Sequence, residues 1–115
     1  MRPLSQTKLD RRERTAINAF SRRLKKALGK QLVSVLLFGS KARGDSHRES
    51  DIDIFVLVKR RTLRVNELVA KITSDLWEEY EVVLSPVVYG VYEQERNLSM
   101  HSFFFEAVQA EGIPL

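Results

Sequence analysis

Two aspartates at the start of an apolar run are the residues of this sequence best suited to chemistry. Asp51 and Asp53 precede and interrupt a run typical of a β-strand buried on both faces, residues 52–58. Residues two apart on a strand project to the same face, so the two carboxylates should converge. Like charges beside an apolar core are costly unless a cation joins them. The spacing therefore predicts a Mg²⁺ site, since Mg²⁺ is commonly held by one or two carboxylates together with substrate phosphates.

A glycine-serine turn lies upstream of the aspartates. The apolar run over residues 32–38 stops at Gly39, which predicts a buried strand that ends in a tight turn. Residues 40–43 would then form one helical turn, whose backbone N–H groups and positive dipole end suit a phosphate oxygen. The Ser40 hydroxyl adds a donor, and Lys41 and Arg43 are the cations expected nearest the phosphate. The turn is therefore predicted to bind phosphate close to the aspartates.

These two motifs also resemble the signature of a known family. They read Gly39-Ser40-x-Ala42-Arg43-Gly44 and Ser50-Asp51-x-Asp53. A strand, a Gly-Ser turn, a set spacing and a strand-borne aspartate pair coincide, as in the DNA polymerase beta superfamily of nucleotidyltransferases, and especially in its minimal nucleotidyltransferases. The resemblance implies an α/β fold of the polymerase beta type, with a small mixed sheet of three to four strands and helices packed on it.

The resemblance also implies a role for each motif residue. Gly39 and Ser40 would bind the β- and γ-phosphates of a nucleoside triphosphate, with Arg43 assisting. Asp51 and Asp53 would hold two Mg²⁺ ions. Ser50, the motif serine before them, is expected to belong to the nucleotide-binding site. It is also expected to fix the entry to the strand by local hydrogen bonding.

Members of this family place a third carboxylate on a later strand, where it completes the metal site and helps to activate the acceptor hydroxyl. Residues 81–89 read as that strand, at a sheet edge or bulged because Pro86 cannot donate to a ladder. The only carboxylate in this segment is Glu81, at its beginning. Either Glu81 is the third catalytic metal ligand, or it is a surface charge and Val83 or Ser85 occupies the position. Without a third carboxylate, turnover would fall or vanish.

Helical spacing of apolar residues predicts the elements that position these motifs. One helix is expected within residues 8–28, with Asp10 and Glu13 as a capping pair and Gly29 as its stop. A second, over residues 65–80, is long enough to cross back over the sheet to the third strand. The tail from residue 93 is predicted to form one or two further helices. Its three consecutive phenylalanines, residues 103–105, cannot all face one core, so the segment is a candidate subunit interface unless helix and sheet bury it completely.

Length and composition bound the other possibilities. The 115 residues fit one domain, with residues 1–10 and 112–115 expected to be loose, and the sequence contains no cysteine for a disulfide or thiolate site. No apolar stretch suits a signal peptide or a membrane helix, so a soluble cytoplasmic protein is expected. Residues 1–30 carry ten Lys and Arg against two acids, whereas residues 62–115 carry three against nine. The basic end would attract an anion or form a solvated helix face, and nucleic-acid binding is disfavoured because no aromatic residues interleave its cations.

Two hypotheses of function follow. The first is a Mg²⁺-dependent nucleotidyltransferase that moves a nucleoside monophosphate, AMP from ATP, to a hydroxyl. Resemblance to minimal nucleotidyltransferases implies a helical HEPN-domain partner, often a ribonuclease toxin, whose hydroxyl accepts AMP and for which this chain is the antitoxin. The second is a catalytically weak or inactive domain of the same fold that neutralises such a partner by binding. A homo-oligomer is compatible with both.

Overall fold

The computed structural model describes residues 7–44 and 51–115, with the backbone alone at residue 40. Five helices, a short 3-10 turn and four strands alternate along this part of the chain. They are α1 (Arg11–Leu28), the turn Gly29–Gln31, β1 (Leu32–Phe38), α2 (Gly39–Arg43), β2 (Ile52–Val58), α3 (Leu63–Tyr80), β3 (Leu84–Gly90), α4 (Val91–Ser99), α5 (Phe103–Glu111) and β4 (Ile113–Pro114). Of the helices described, none has the length and apolar character needed to cross a bilayer.

The four strands form one mixed sheet in the order β3-β2-β1-β4. The central strand β2 is antiparallel to β1 and parallel to β3, while β4 is antiparallel to β1. The parallel pair requires a crossover, and α3 supplies it, as its length predicts. Pro86 lies on the edge strand β3, where its missing N–H is tolerated. The predicted α/β class with a small mixed sheet is confirmed.

Alternate residues of β2 divide the core between the two faces of the sheet. Ile52, Ile54, Val56 and Val58 are buried in the larger cluster, which includes the apolar sides of α1 and α3. The residues between them, Phe55 and Leu57, belong to a second cluster with α5. Apolar packing on both faces explains why this strand is nearly continuous in hydrophobic residues. Asp53 has the parity of Phe55 and therefore projects to the α5 face.

Three predicted boundaries were wrong. The third strand starts at Leu84 rather than at residue 81, because α3 continues to Tyr80 and Glu81 closes it. The end of the chain is not loose, because β4 pairs with β1 and the Leu115 N–H donates to the Val35 carbonyl at 2.9 Å. Near the start, Leu9 is buried in the main core, so residues 7–10 are not loose either; residues 1–6 lie outside the described ranges.

The start of α1 is tied to the short helix α2. The predicted capping pair is confirmed, since the Glu13 N–H donates to Asp10 Oδ1 at 2.7 Å and the Asp10 N–H donates to Glu13 Oε1 at 3.0 Å. Glu13 Oε2 also lies 2.9 Å from Lys41 Nζ, and the Lys41 side chain is only 2% exposed. The sequence placed Lys41 beside the phosphate, whereas the structure directs its ammonium to Glu13. This buried ion pair anchors the turn that follows β1.

We expect Lys41→Met to lower the free energy of unfolding by about 3 kcal/mol, because it leaves the Glu13 carboxylate buried without its cation. Arg23→Met is the matched control: the Arg23 to Glu79 ion pair is shorter, at 2.7 Å, but its side chains are 34% and 49% exposed. Exposed pairs contribute little, so this control should change stability only slightly. Denaturant unfolding measures both variants, and equal losses would contradict a special role for the buried pair.

Candidate active site

The site lies where β1 ends and β2 begins. Phe38, the last residue of β1, is opposite Asp53 in the antiparallel register, and Gly39 opens α2 immediately afterwards. Gly39 has a φ of 75°, a left-handed conformation that favours glycine. A Cβ added at Gly39 would overlap Oδ2 of Asp53. Only a glycine therefore lets this turn lie directly against the carboxylate.

The parallel pairing of β2 with β3 adds a hydroxyl to the same rim. Ser85 is opposite Asp53 in the register, and its Oγ donates to Oδ2 of Asp51 at 3.3 Å. Asp51 is exposed and Asp53 is half-buried. Two carboxylates and one hydroxyl thus meet at the edge of the sheet from which β2 and β3 both start.

The electrostatics of the pair favour a bound cation. Burial raises the pKa of Asp53 above its ordinary value, the negative charge of Asp51 raises it further, and the positive charge of Arg43 opposes both effects. Ionising both carboxylates in the free protein is therefore unfavourable. A divalent cation between them would remove that penalty.

Arg43 connects the signature turn to the C-terminal helix. Its Nη1 lies 3.6 Å from Oε2 of Glu111 on α5, and both side chains remain partly exposed. The guanidinium is also close enough to lower the pKa of Asp53. The sequence predicted Arg43 near the phosphate but did not predict the partner on α5, because no local pattern links two residues so far apart in the chain.

Glu81 does not join this group. It is exposed and holds the left-handed C-cap of α3, with its N–H donating to the Trp77 carbonyl at 2.8 Å. Of the two sequence alternatives, this placement matches a surface charge, and Ser85 stands opposite Asp53. Within the described ranges, no three acidic or histidine side chains cluster as a metal site. Ser50 and the side chain of Ser40 lie outside the described part of the chain.

The donors at this rim fit Mg²⁺ and a nucleoside triphosphate. Asp51 and Asp53 supply the hard oxygen ligands that Mg²⁺ prefers, in the number usual when phosphates complete the coordination. Because Gly39 has no side chain, the backbone of the turn lies directly against Asp53, so a phosphate bound by that backbone would lie beside the carboxylates. The arrangement can therefore hold a metal-bound polyphosphate against a β-sheet edge.

This fold and rim define a small α/β protein with two carboxylates and a glycine turn together at one edge of its sheet. The chain belongs to the nucleotidyltransferase domain family, whose model matches residues 17–108.

Proteins of similar sequence and solved structures of similar fold support this family assignment. "Putative protein adenylyltransferase MJ0141" of Methanocaldococcus jannaschii is 39% identical over 74 residues, which are 64% of this chain and 75% of the relative. Among solved structures, "Structure of putative minimal nucleotidyltransferase" aligns with a TM-score of 0.58 and 29% identity over 89% of this chain and 94% of that one. "Crystal structure of the toxin-antitoxin with AMP-PNP" aligns with a TM-score of 0.52 over 79% and 91% of the chains, and its 21% identity supports likeness of fold alone. The predicted family, fold class and enzyme class are confirmed.

Gly39→Ala should displace the Asp53 carboxylate and weaken Mg²⁺-ATP binding about tenfold or more, as measured by calorimetry. Gly29→Ala is the matched control, since Gly29 also has a positive φ, 54°, but a Cβ there meets nothing within 4 Å. Both variants should lose stability through backbone strain of about 1–3 kcal/mol. Unchanged nucleotide affinity in Gly39→Ala would show that the close approach has no part in binding.

Asp53→Asn should stabilise the metal-free protein at neutral pH. Because the folded-state pKa of Asp53 is raised, its favourable contribution is present below the unfolded-state pKa and is lost as pH rises through the folded-state value. The asparagine avoids that loss, so its advantage in melting temperature in EDTA should be larger near pH 7 than near pH 4. Mg²⁺ should then raise the melting temperature of the wild type more than that of the variant. A variant less stable than the wild type at neutral pH would contradict a charge penalty at Asp53.

Proposed function

We propose that this chain is a Mg²⁺-dependent adenylyltransferase that transfers AMP from ATP to a hydroxyl group on a protein. The observation that carries the proposal is the approach of the Gly39 turn to Asp53, with Asp51 at the same rim. This arrangement supplies backbone for phosphate and carboxylates for metal in one place. Protein adenylylation is further supported by the name of the Methanocaldococcus jannaschii relative.

The proposed reaction is a displacement at the α-phosphorus of ATP. The acceptor oxygen forms a bond to this phosphorus, the bond to the β-phosphate oxygen breaks, and pyrophosphate leaves while the hydroxyl proton passes to a base or to water. Asp51 and Asp53 would hold Mg²⁺, which when bound neutralises phosphate charge and stabilises the displacement. The Gly39 turn and Ser40 would hold the β- and γ-phosphates, with Arg43 adding positive charge near them.

Deprotonation of the acceptor hydroxyl calls for a base, and Glu81 lies away from the rim, at the C-cap of α3. We propose that Glu81 is dispensable and that Ser85 orients Asp51 through its hydrogen bond. A serine cannot replace a carboxylate as a base, so deprotonation of the acceptor would depend on the bound substrate or on a partner protein. Turnover by the chain alone is therefore expected to be slow.

We further propose that the acceptor is a helical HEPN-domain toxin and that this chain is its antitoxin, acting in the cytoplasm where ATP is available. This partner is implied by the resemblance to minimal nucleotidyltransferases. The fold is compatible with such an assembly, because a toxin-antitoxin crystallised with AMP-PNP contains a chain of similar fold.

The alternative is a domain that neutralises its partner by binding without transfer. It is favoured by the lack of a three-carboxylate cluster within the described ranges and by apolar side chains left exposed on the last two helices and the turn between them. They include Tyr92, Met100 and Phe103. On this alternative the rim would bind nucleotide as a structural ligand.

Transfer is tested by incubating the chain with Mg²⁺ and ATP labelled at the α-phosphate, with and without the proposed HEPN-domain partner. Label should move to that protein, and Asp53→Asn should reduce the rate about 100-fold or more through loss of metal support. Glu81→Gln is the matched control and should remain within about twofold of wild type, as expected for an exposed group outside the site. Equal losses in both variants would instead make Glu81 the third ligand. A tight complex without transfer in the wild type would support the binding alternative.

A further inference from the structure

One side of the carboxylate rim is aromatic. Phe38 is opposite Asp53 in the antiparallel register, so both side chains project to the same face of the sheet, with their Cβ atoms about 5 Å apart. The Phe38 ring meets the ring of Phe104 edge to face, with centroids 5.6 Å apart. The aromatic surface therefore begins directly beside the half-buried aspartate.

The three phenylalanines that open α5 have different surroundings. Phe105 is 3% exposed, Phe104 is 36% exposed and Phe103 is 88% exposed. Phe104 is held among four rings, those of Phe38, Phe55, Tyr89 and Phe105. It combines a fixed orientation with an open surface, which is what a planar ligand needs for stacking. The other two lack this combination, since one is covered and the other stands in solvent.

The aromatic surface lies within reach of a nucleotide bound at the rim. On this face of the sheet, Phe38 is opposite Asp53 and its ring contacts the ring of Phe104. The ion pair of Arg43 with Glu111 places the signature turn beside α5, the helix that carries Phe104. A nucleotide whose phosphates lie at that turn must extend its sugar and base over a neighbouring surface, and on the α5 face that surface is aromatic.

We propose that Phe104, supported by Phe38, is the surface on which the base of the nucleoside triphosphate stacks. This inference rests on the proposed function and adds to it the residue that binds the base. Stacking on an aromatic ring accepts every base because each has a π-face. Phe104 therefore contributes affinity for a nucleoside triphosphate in general, and a preference for adenine must come from hydrogen bonds made elsewhere.

The test compares two ligands that share their phosphates. Binding of ATP and of inorganic tripolyphosphate, each with Mg²⁺, is measured by calorimetry for the full chain. Phe104→Leu keeps apolar volume in the cluster but removes the ring, and it should weaken ATP binding about tenfold while leaving tripolyphosphate binding unchanged. Phe104→Tyr, which restores a ring, should bind ATP as the wild type does. Phe103→Leu, on the same helix, is the matched control and should change neither affinity.

The outcomes separate this inference from the function on which it rests. If Phe104→Leu weakens both ligands equally, or neither, the base does not stack on Phe104 and the inference is overturned while the phosphate site stands. If the wild type binds neither ligand with Mg²⁺, the proposed function fails and the inference fails with it.

Discussion

The contact between the backbone at Gly39 and the carboxylate of Asp53 is the constraint on which the site depends. The antiparallel register of β1 with β2 brings these two residues together, and the Glu13 to Lys41 ion pair holds the short helix that follows. The parallel register of β3 adds Ser85 at the same rim. A shift of either strand by one residue would turn these side chains to the opposite face. The sheet therefore sets the geometry that the loop sequence only suggests.

The same rim carries an unfavourable concentration of negative charge in the free protein. An apolar strand, buried on both faces, is interrupted by Asp53, whose pKa is raised by burial and by the charge of Asp51. Such unfavourable charge is typical of sites that are completed by a ligand. A metal-bound triphosphate would supply the missing positive charge to the carboxylates and find N–H donors in the adjacent turn. The electrostatic cost in the free protein and the proposed capacity to bind metal both come from the two neighbouring carboxylates.

Local patterns predicted most of the fold. The bounds of β1 and β2, the capping box of α1 and the crossover by α3 follow from apolar periodicity and end signals, which act over a few residues. The two-residue strand β4 carries no periodicity and was missed. The sequence predicted Glu81 to begin a strand. The residue at a left-handed C-cap, such as the one that ends α3, is more often a glycine, and nothing in the sequence marks a glutamate for that position.

Local patterns likewise predicted only part of the geometry at the rim. Gly39, Asp51 and Asp53 stand out by type and spacing, and the structure brings them together. The pairing of Lys41 with Glu13 and of Arg43 with Glu111 depends on tertiary contacts, which the sequence does not reveal. Likewise, helical periodicity indicated that at least one of the three phenylalanines must face outward. It could not indicate that Phe104 would lie beside the carboxylate rim.

The most direct test is a crystal structure of the chain with Mg²⁺ and a non-hydrolysable ATP analogue. We expect metal bound to both Asp51 and Asp53, and the terminal phosphates on the backbone of the Gly39 turn. A nucleotide bound elsewhere on the sheet, or metal that contacts neither aspartate, would contradict the proposed site.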